Sequence, residues 1–277
     1  MEKGIVNPKV ETKGSLLLAW QVKNKHCLVI GGGEVAFSRI EHMLRAQAKI
    51  TVISGADKVH PEILKLVDRG VIYKFEHRDY LSSDLTLYER NDFQIDNVDL
   101  IAKEHYDAIG QGVNNETFAI VCCCIDDYEL SSKIYYQCKY LRLPVNIADK
   151  PWLCDFYFGS MINMDNLQIM VSTNGKSPRL LKLIKDSIAR QFKDVDLNKA
   201  VENLGSIRAR LRETVVVNED LVSIDSRMNW IKALTDFFDL RQWSQLDLSL
   251  EKVDKIVSFF PEYPPKDYDQ FKSTILS

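Results

Sequence analysis

The sequence predicts an α/β chain with a helical tail, and three observations carry that prediction. Between Ser15 and about Lys150 short apolar runs alternate with amphipathic stretches, the pattern of strands buried on both faces and separated by covering helices. A glycine-rich turn, Gly31-Gly32-Gly33, stands between the first main run and the first amphipathic stretch. From Leu197 onward the apolar residues recur at helical spacing.

Taken in order, the runs His26–Ile30, Lys49–Ser54, Val71–His77, Phe118–Cys124 and Leu143–Asp149 are read as strands, because each is a short apolar segment bounded by turn residues. Helices are placed near Val35–Arg45, Pro61–Asp68 and Glu129–Tyr140. Ser15–Trp20 reads as an extra strand before the first. Ser82–Asn115 is polar with few periodic apolar positions and reads as an irregular insertion. After Pro151 a strand pair, Phe156–Met161 and Leu167–Thr173, turns around Asn163-Met164-Asp165-Asn166, and a helix runs from Pro178 to about Phe192. Ala200, Leu204, Ile207 and Leu211 begin the helical tail. Pro261, Pro264 and Pro265 are expected to end its last helix before a frayed terminus.

Composition excludes several classes. With 277 residues, 45% hydrophobic and 27% charged, the chain has the make-up of a folded globular protein. Its 36 basic and 39 acidic side chains leave a net charge of -3, so no overall attraction to nucleic acid or to an anionic membrane is built in. Six cysteines without a C-x-x-C pair suggest a reducing compartment. The N-terminal residues lack the apolar core of a signal peptide, and the best apolar run, Phe118–Ile125, is too short to span a bilayer. A cytoplasmic location is the expectation.

Three motifs carry chemistry. In the first, strand residues Cys27–Ile30 run into Gly31-Gly32-Gly33-Glu34-Val35-Ala36, which fits G-x-G-x-x-[G/A]. Gly31 permits the tight turn, Gly33 lets the backbone approach a pyrophosphate, and Ala36 lets helix pack on strand. The N–H groups at the helix start then hold the phosphates, so a Rossmann-type dinucleotide fold is expected. The second strand ends at Ser54 with no carboxylate before Asp57. Ser54 can hydrogen-bond a ribose hydroxyl and no arginine follows to cradle a 2′-phosphate, which favours NAD over NADP.

The second motif is Pro144-Val-Asn146-Ile-Ala-Asp149-Lys150-Pro151, where a strand delivers a carboxylate to its carboxyl end, the ligand edge of such sheets. Alternation puts Asn146 and Asp149 on different faces, and only Asp149 is placed to face the crevice. A carboxylate there equally suits a turn. The third motif is Ser172-Thr173-Asn174-Gly175-Lys176-Ser177-Pro178-Arg179. Ser177 is a natural N-cap and Pro178 a natural first helical residue, while the helix start beside Lys176 and Arg179 also suits a carboxylate-bearing ligand.

No stable metal site is expected. His26, His42, His60, His77 and His105 are scattered, and Cys122–Cys124 on one strand cannot converge on one ion. The cysteines read as small buried hydrophobes. Ile125-Asp126-Asp127, after the fourth main strand, either borders the cofactor or caps the next helix.

Together these blocks resemble the precorrin-2 dehydrogenase/sirohydrochlorin ferrochelatase family, in its bifunctional fungal form. The resemblance rests on Val29–Ala36, on Val145–Pro151 continuing into Leu153–Gly159, and on Ser172–Arg179. It implies a Rossmann domain over 1–150, a small α+β dimerisation domain over 151–195 and a helical domain over 196–277. It further implies a homodimer, NAD as cofactor, and two reactions. Precorrin-2 gives a hydride to NAD⁺ and loses protons to become sirohydrochlorin, and Fe²⁺, a substrate rather than a bound cofactor, is then inserted to give siroheme. The family's essential carboxylate falls on Asp149, and its cofactor contacts fall on the backbone at Glu34 and Val35 and on Ser54. Asn174, Lys176, Ser177 and Arg179 become candidates for the carboxylate arms of the tetrapyrrole. No histidine follows His105, so none from the C-terminal region can take part. Two rival readings are a monofunctional NAD-dependent precorrin-2 dehydrogenase and a non-enzymatic dinucleotide sensor.

Overall fold

A computed structural model describes residues 15–55, 57, 59–90, 95, 97–164, 166–174, 176–214 and 221–276. The N-terminal segment, part of the 82–115 insertion, Asp165 of the strand turn and Gly175 of the third motif lie outside the described residues. The chain divides into two compact units, Ser15–Phe158 and the part from Gly159 onward.

The first unit is built on five parallel strands: β1 (His26–Ile30), β2 (Lys49–Ile53), β3 (Lys74–Glu76), β4 (Phe118–Cys123) and β5 (Val145–Ile147), in spatial order β3-β2-β1-β4-β5. The chain winds outward from β1 through β2 to β3, then crosses to β4 and on to β5. The order therefore reverses between β1 and β4, and the crevice at their carboxyl ends is where such sheets take ligands. Helices α1 (Glu34–Arg45), α2 (Pro61–Asp68), α3 (Tyr106–Asn115) and α4 (Tyr128–Tyr140) connect the strands. Period-two alternation splits the strand residues between two cores. Leu28, Ile30, Val121, Cys123, Val145 and Ile147 pack with Ile134 and Cys138 of α4. Cys27, Val29, Ile50, Val52 and Cys122 pack with Ala36, Ile40 and Met43 of α1 and Ile63 of α2.

Several boundaries differ from the sequence reading. Ser15–Trp20 forms no strand, because both sides of β1 are already taken by β2 and β4 and Leu16, Leu17 and Leu18 stay exposed. β3 begins only at Lys74, the first residue that β2 pairs with, while Val71 and Tyr73 face solvent. The insertion is not irregular throughout. Its first residues, Ser82–Thr86, form a 3₁₀ turn that buries Asp84 and Leu85, and Tyr106–Asn115 is the helix α3. Arg78 explains the buried carboxylate: its guanidinium donates to both Asp84 oxygens at 2.9 and 2.7 Å, and the Leu81 N–H adds a third bond at 2.7 Å. Burial disfavours the Asp84 anion, but these donors outweigh it and hold its pKa below the ordinary value.

In the second unit β6 (Ser160–Met164) and β7 (Leu167–Val171) form an antiparallel pair followed by α5 (Pro178–Gln191). β6 starts later than Phe156 because Phe156 and Phe158 belong to the first unit, packed on the α1 side of the sheet. The remaining helices are α6 (Leu197–Thr214), α7 (Leu221–Thr235), α8 (Leu240–Gln245), α9 (Leu250–Val257) and α10 (Tyr268–Ile275). Asn203, buried on α6, donates to the carbonyls of Trp243 and Leu246 at 3.0 and 2.9 Å and so satisfies the C-terminal end of α8. The terminus does not fray. Asp267 caps α10, whose Phe271 and Ile275 are buried beside Phe238 and Trp243, so the prolines end α9's neighbourhood and not the fold.

Candidate active site

The first element of the site is the turn between β1 and α1. Gly31 has φ +117, and a Cβ there would stand 2.3 Å from the Cys124 carbonyl oxygen. A Cβ on Gly32 would meet the Ser54 Oγ at 2.5 Å. Gly33 is different: a Cβ there meets nothing within 4 Å. Gly33 is the N-cap residue of α1 and, as a glycine, brings no side chain to cap it. The first two glycines thus serve the fold, while the third faces open space beside the exposed N–H groups of the first turn. That cradle fits a pyrophosphate, for which unpaired N–H groups and the positive helix end supply the attraction.

Glu34 opens α1 and its carboxylate lies 2.7 Å from His60 Nε2. His60 Nδ1 accepts the Glu62 N–H at 3.2 Å, so Nε2 carries the ring proton and donates it to Glu34. The His60 ring also stacks on Phe37 with centroids 4.7 Å apart. The His60 N–H in turn donates to the Gly32 carbonyl at 2.8 Å, tying the loop after β2 to the glycine turn. Ser54 is buried under Gly32, and its N–H donates to the Glu76 carbonyl at 3.0 Å. The exposed positions at this exit of β2 are Gly55 and Asp57.

The second element is the exit of β5. Asn146 is buried, whereas Asp149 is exposed with φ +58, in the left-handed region. Several bonds hold the loop around it. The Ala148 N–H donates to the Cys123 carbonyl at 2.8 Å, and the Cys154 thiol lies 3.2 and 3.3 Å from the carbonyls of Ile147 and Lys150. Asp155 accepts the Val145 N–H at 3.0 Å and pairs with Lys139 at 2.6 Å, fastening the following segment to the strand. Asp149 therefore projects from a braced backbone.

A cavity of ≈ 380 Å³ joins these two elements, bounded by Val35 of the first turn of α1, by Cys124, Ile125 and Asp126 after β4, and by Ala148, Asp149 and Lys150 after β5. Tyr128 and Trp152, both largely exposed, add aromatic walls. Burial pushes the Cys124 thiol up to about 12, so at neutral pH it stays protonated and is no base. The acceptors of protons in the cavity are the carboxylates of Asp126 and Asp149. Ile125-Asp126-Asp127 divides its two readings: Asp127 caps α4 by accepting the Leu130 N–H at 2.9 Å, and Asp126 lines the cavity. Sequence reasoning did not single out Tyr128 or Trp152 as walls. Their signal was proximity, since each flanks a motif residue and is a large aromatic left exposed.

Residues 18–160 match the family described as "Putative NAD(P)-binding". Residues 165–191 match the sirohaem biosynthesis protein central family, and residues 194–263 its C-terminal counterpart. The siroheme biosynthesis protein met8 of Schizosaccharomyces pombe is 34% identical over 256 residues, which are 92% of this chain and 83% of that one. The chain belongs to the siroheme biosynthesis protein family. The siroheme biosynthesis protein of the same name from Saccharomyces cerevisiae is 31% identical over 91% of this chain and 96% of its own. Among solved structures, SirC, precorrin-2 dehydrogenase, has the same fold, with a TM-score of 0.55 and 17% identity over 89% of this chain and 100% of that one.

In this siroheme biosynthesis protein the third motif, Ser172–Arg179, belongs to the second compact unit, so Asn174, Lys176, Ser177 and Arg179 are described there and not in the cavity. Ser177 occupies the N-cap position of α5 with Pro178 first in the helix, but its side chain makes no capping bond. The loop is organised instead by the preceding hydroxyls: Ser172 Oγ accepts the Asn174 N–H at 3.1 Å and Thr173 Oγ1 the Ser177 N–H at 3.4 Å. Lys176 and Arg179 are exposed, and neither forms an ion pair among the described residues. Among those residues no group of three or more His, Cys, Asp or Glu could hold a metal ion, and no helix is long and apolar enough to cross a membrane.

Proposed function

We propose that this siroheme biosynthesis protein is a bifunctional enzyme that oxidises precorrin-2 to sirohydrochlorin with NAD⁺ and then inserts Fe²⁺ to give siroheme. The observation that carries the proposal is Asp149, an exposed carboxylate on a braced left-handed turn, in one cavity with the first turn of the helix that follows the glycine cradle. Gly31, Gly33, Glu34 and Val35 would hold the pyrophosphate through backbone groups, with Ser54 beneath the turn. NAD⁺, when bound, supplies the acceptor for the hydride that leaves precorrin-2.

The work of the chain is then proton transfer. Oxidation removes a hydride and protons from the macrocycle, and Asp149 takes a proton at a carboxylate oxygen. Metal insertion exchanges two pyrrole N–H protons for Fe²⁺, and the same carboxylate takes them one at a time, passing each to solvent before it accepts the next. Such a base is worth about 10²–10⁴ in rate. Tyr128 and Trp152 offer faces to a flat conjugated ring. Asn174, Lys176, Ser177 and Arg179 are assigned to the carboxylate arms, through the cations and the start of α5. Fe²⁺ is a passing substrate, since tight His or Cys ligation would oppose its transfer to the ring.

The division of labour is assigned to the limits 1–150, 151–195 and 196–277, with residues 151–158 of the central piece packed on the first unit. The central piece is assigned to dimerisation with a second copy of the chain: β6 and β7 are a lone strand pair, and Leu180, Leu183 and Ile184 of α5 are exposed. Six free cysteines support a reducing, cytoplasmic setting, with no nucleic acid or membrane among the partners.

The test is anaerobic incubation with precorrin-2 and NAD⁺, following NADH and the tetrapyrrole spectrum, then addition of Fe²⁺ or Co²⁺. NADH formation and metal conversion in the wild type, both lost in Asp149→Asn, are the expected result. NADH without metal conversion leaves a monofunctional dehydrogenase, and NAD⁺ binding without either signal leaves a sensor.

A further inference from the structure

At the end of β2 the position that normally carries a carboxylate for the adenosine ribose is Ser54, which is buried, and Gly55 follows it. The neighbouring strand makes good the loss. β2 and β3 run parallel in register, Ile53 opposite Glu76, so three residues beyond Glu76 the chain passes directly over Gly55. A Cβ on Gly55 would stand only 1.8 Å from Asp79 Oδ1 and 3.0 Å from the Asp79 backbone nitrogen. The carboxylate thus occupies the space that any side chain at position 55 would fill. Asp79 itself is exposed.

We infer that Asp79, delivered by β3 and admitted by Gly55, binds the ribose hydroxyls of the adenosine half of NAD⁺ and excludes NADP⁺. The inference rests on the dinucleotide reading of the glycine turn. Its geometry is that of one sheet edge, where the loop after β2 is tied to Gly32 by the His60 N–H and Asp79 lies against Gly55, the second residue of that loop. Two ribose hydroxyls donating to a carboxylate make charge-assisted hydrogen bonds, whereas a 2′-phosphate at the same place meets a like charge. The adjacent cation offers the phosphate no compensation. Arg78 is engaged by both oxygens of Asp84 at 2.9 and 2.7 Å, and its remaining contacts go to Glu76 and to the Asp79 carbonyl.

The test is titration calorimetry of the full chain with NAD⁺ and NADP⁺, without substrate, on the wild type, Asp79→Asn and Gly55→Ala, with a thermal melt of each. The wild type is expected to prefer NAD⁺. Asp79→Asn should weaken NAD⁺ about tenfold while tightening NADP⁺, so that the preference collapses. Gly55→Ala, by displacing Asp79, should likewise weaken NAD⁺ and tighten NADP⁺. A wild type that binds NADP⁺ as well as NAD⁺, or an Asp79→Asn protein that keeps the wild-type preference, overturns the inference. A wild type that binds neither nucleotide instead removes the dinucleotide reading on which it rests.

Discussion

Gly31 lies against the carbonyl oxygen of Cys124 so closely that a methyl group at position 31 would stand 2.3 Å from it. This contact joins the glycine turn to the exit of β4 and brings the two halves of the crevice together. Gly31→Ala faces both the clash and a φ of +117, and should destabilise the first unit by about 2–4 kcal/mol. Gly33→Asp has open space around it and should melt within ~0.5 kcal/mol of wild type while losing NAD⁺ binding. Calorimetry and thermal melts of the pair check this, and a Gly33→Asp protein with unchanged NAD⁺ affinity would refute the cradle.

Asparagine tolerates a left-handed backbone at least as well as aspartate, so Asp149→Asn should keep the wild-type melting curve. Both reactions should slow by about 10²–10⁴. Asp126→Asn, changing the other carboxylate of the cavity, should cost less than about tenfold. Parallel assays of oxidation and metal insertion decide it: a larger loss at Asp126, or a loss confined to one reaction, removes Asp149 as the shared base.

His26 predicts a loss of stability in acid. Its ring is buried with Tyr88 at 4.1 Å and Tyr73 at 4.8 Å, and Nδ1 has no hydrogen-bond partner among the described residues. Burial first, and Lys49 second, push its pKa down from 6.5 to about 4. The unfolded chain therefore takes up a proton between pH 6.5 and 4 that the folded chain refuses. Stability from this group is whole above 6.5 and drains away as the pH falls toward 4, by a total on the order of 3 kcal/mol. Urea unfolding at pH 7 and pH 4.5 measures it, and His26→Phe should lose distinctly less across that interval than wild type does.

Phe271 anchors α10 with rings at 4.9 Å from Phe238 and 6.4 Å from Trp243. Phe271→Ala should cost about 3–5 kcal/mol in the helical unit. The fluorescence of buried Trp230 and Trp243 reports that unit's unfolding, and a variant with an unshifted midpoint would return α10 to the status of a loose tail.

For the second copy of the chain, sedimentation is the measure. Wild type at micromolar concentration should run as a dimer, and Leu183→Asp on the exposed face of α5 should run as a monomer of unchanged secondary structure. A monomeric wild type would withdraw the dimerisation role.

The parts of the fold that were legible in the sequence are those decided by local pattern. His26–Ile30 and Pro61–Asp68 fall at their predicted limits because buried strands and a proline-started helix announce themselves. Helix α3 was missed because it holds Gly110, Gly112 and two asparagines and buries no residue, so neither propensity nor an apolar stripe marks it. α10 did carry a signal, Phe271 and Ile275 four apart, which the three prolines before it obscured. Of the candidate site, Gly31, Gly33 and Asp149 are proposed from motifs. Asp79 could not be, since its place over Gly55 depends on the register between two strands rather than on spacing along one.

The sheet of the first unit also shows how its borders are closed. At one margin β3 offers only three residues. At the other, the segment after Asp149 folds back along β5, with a bridge from Asn146 to Cys154 and an Asp155 N–H bonded to the Val145 carbonyl at 2.9 Å. The segment that braces Asp149 therefore also denies that margin to a foreign strand. Growth by strand addition, whether into a regulated assembly or into an aggregate, is left to β6 and β7, each of which pairs only with the other among the described residues.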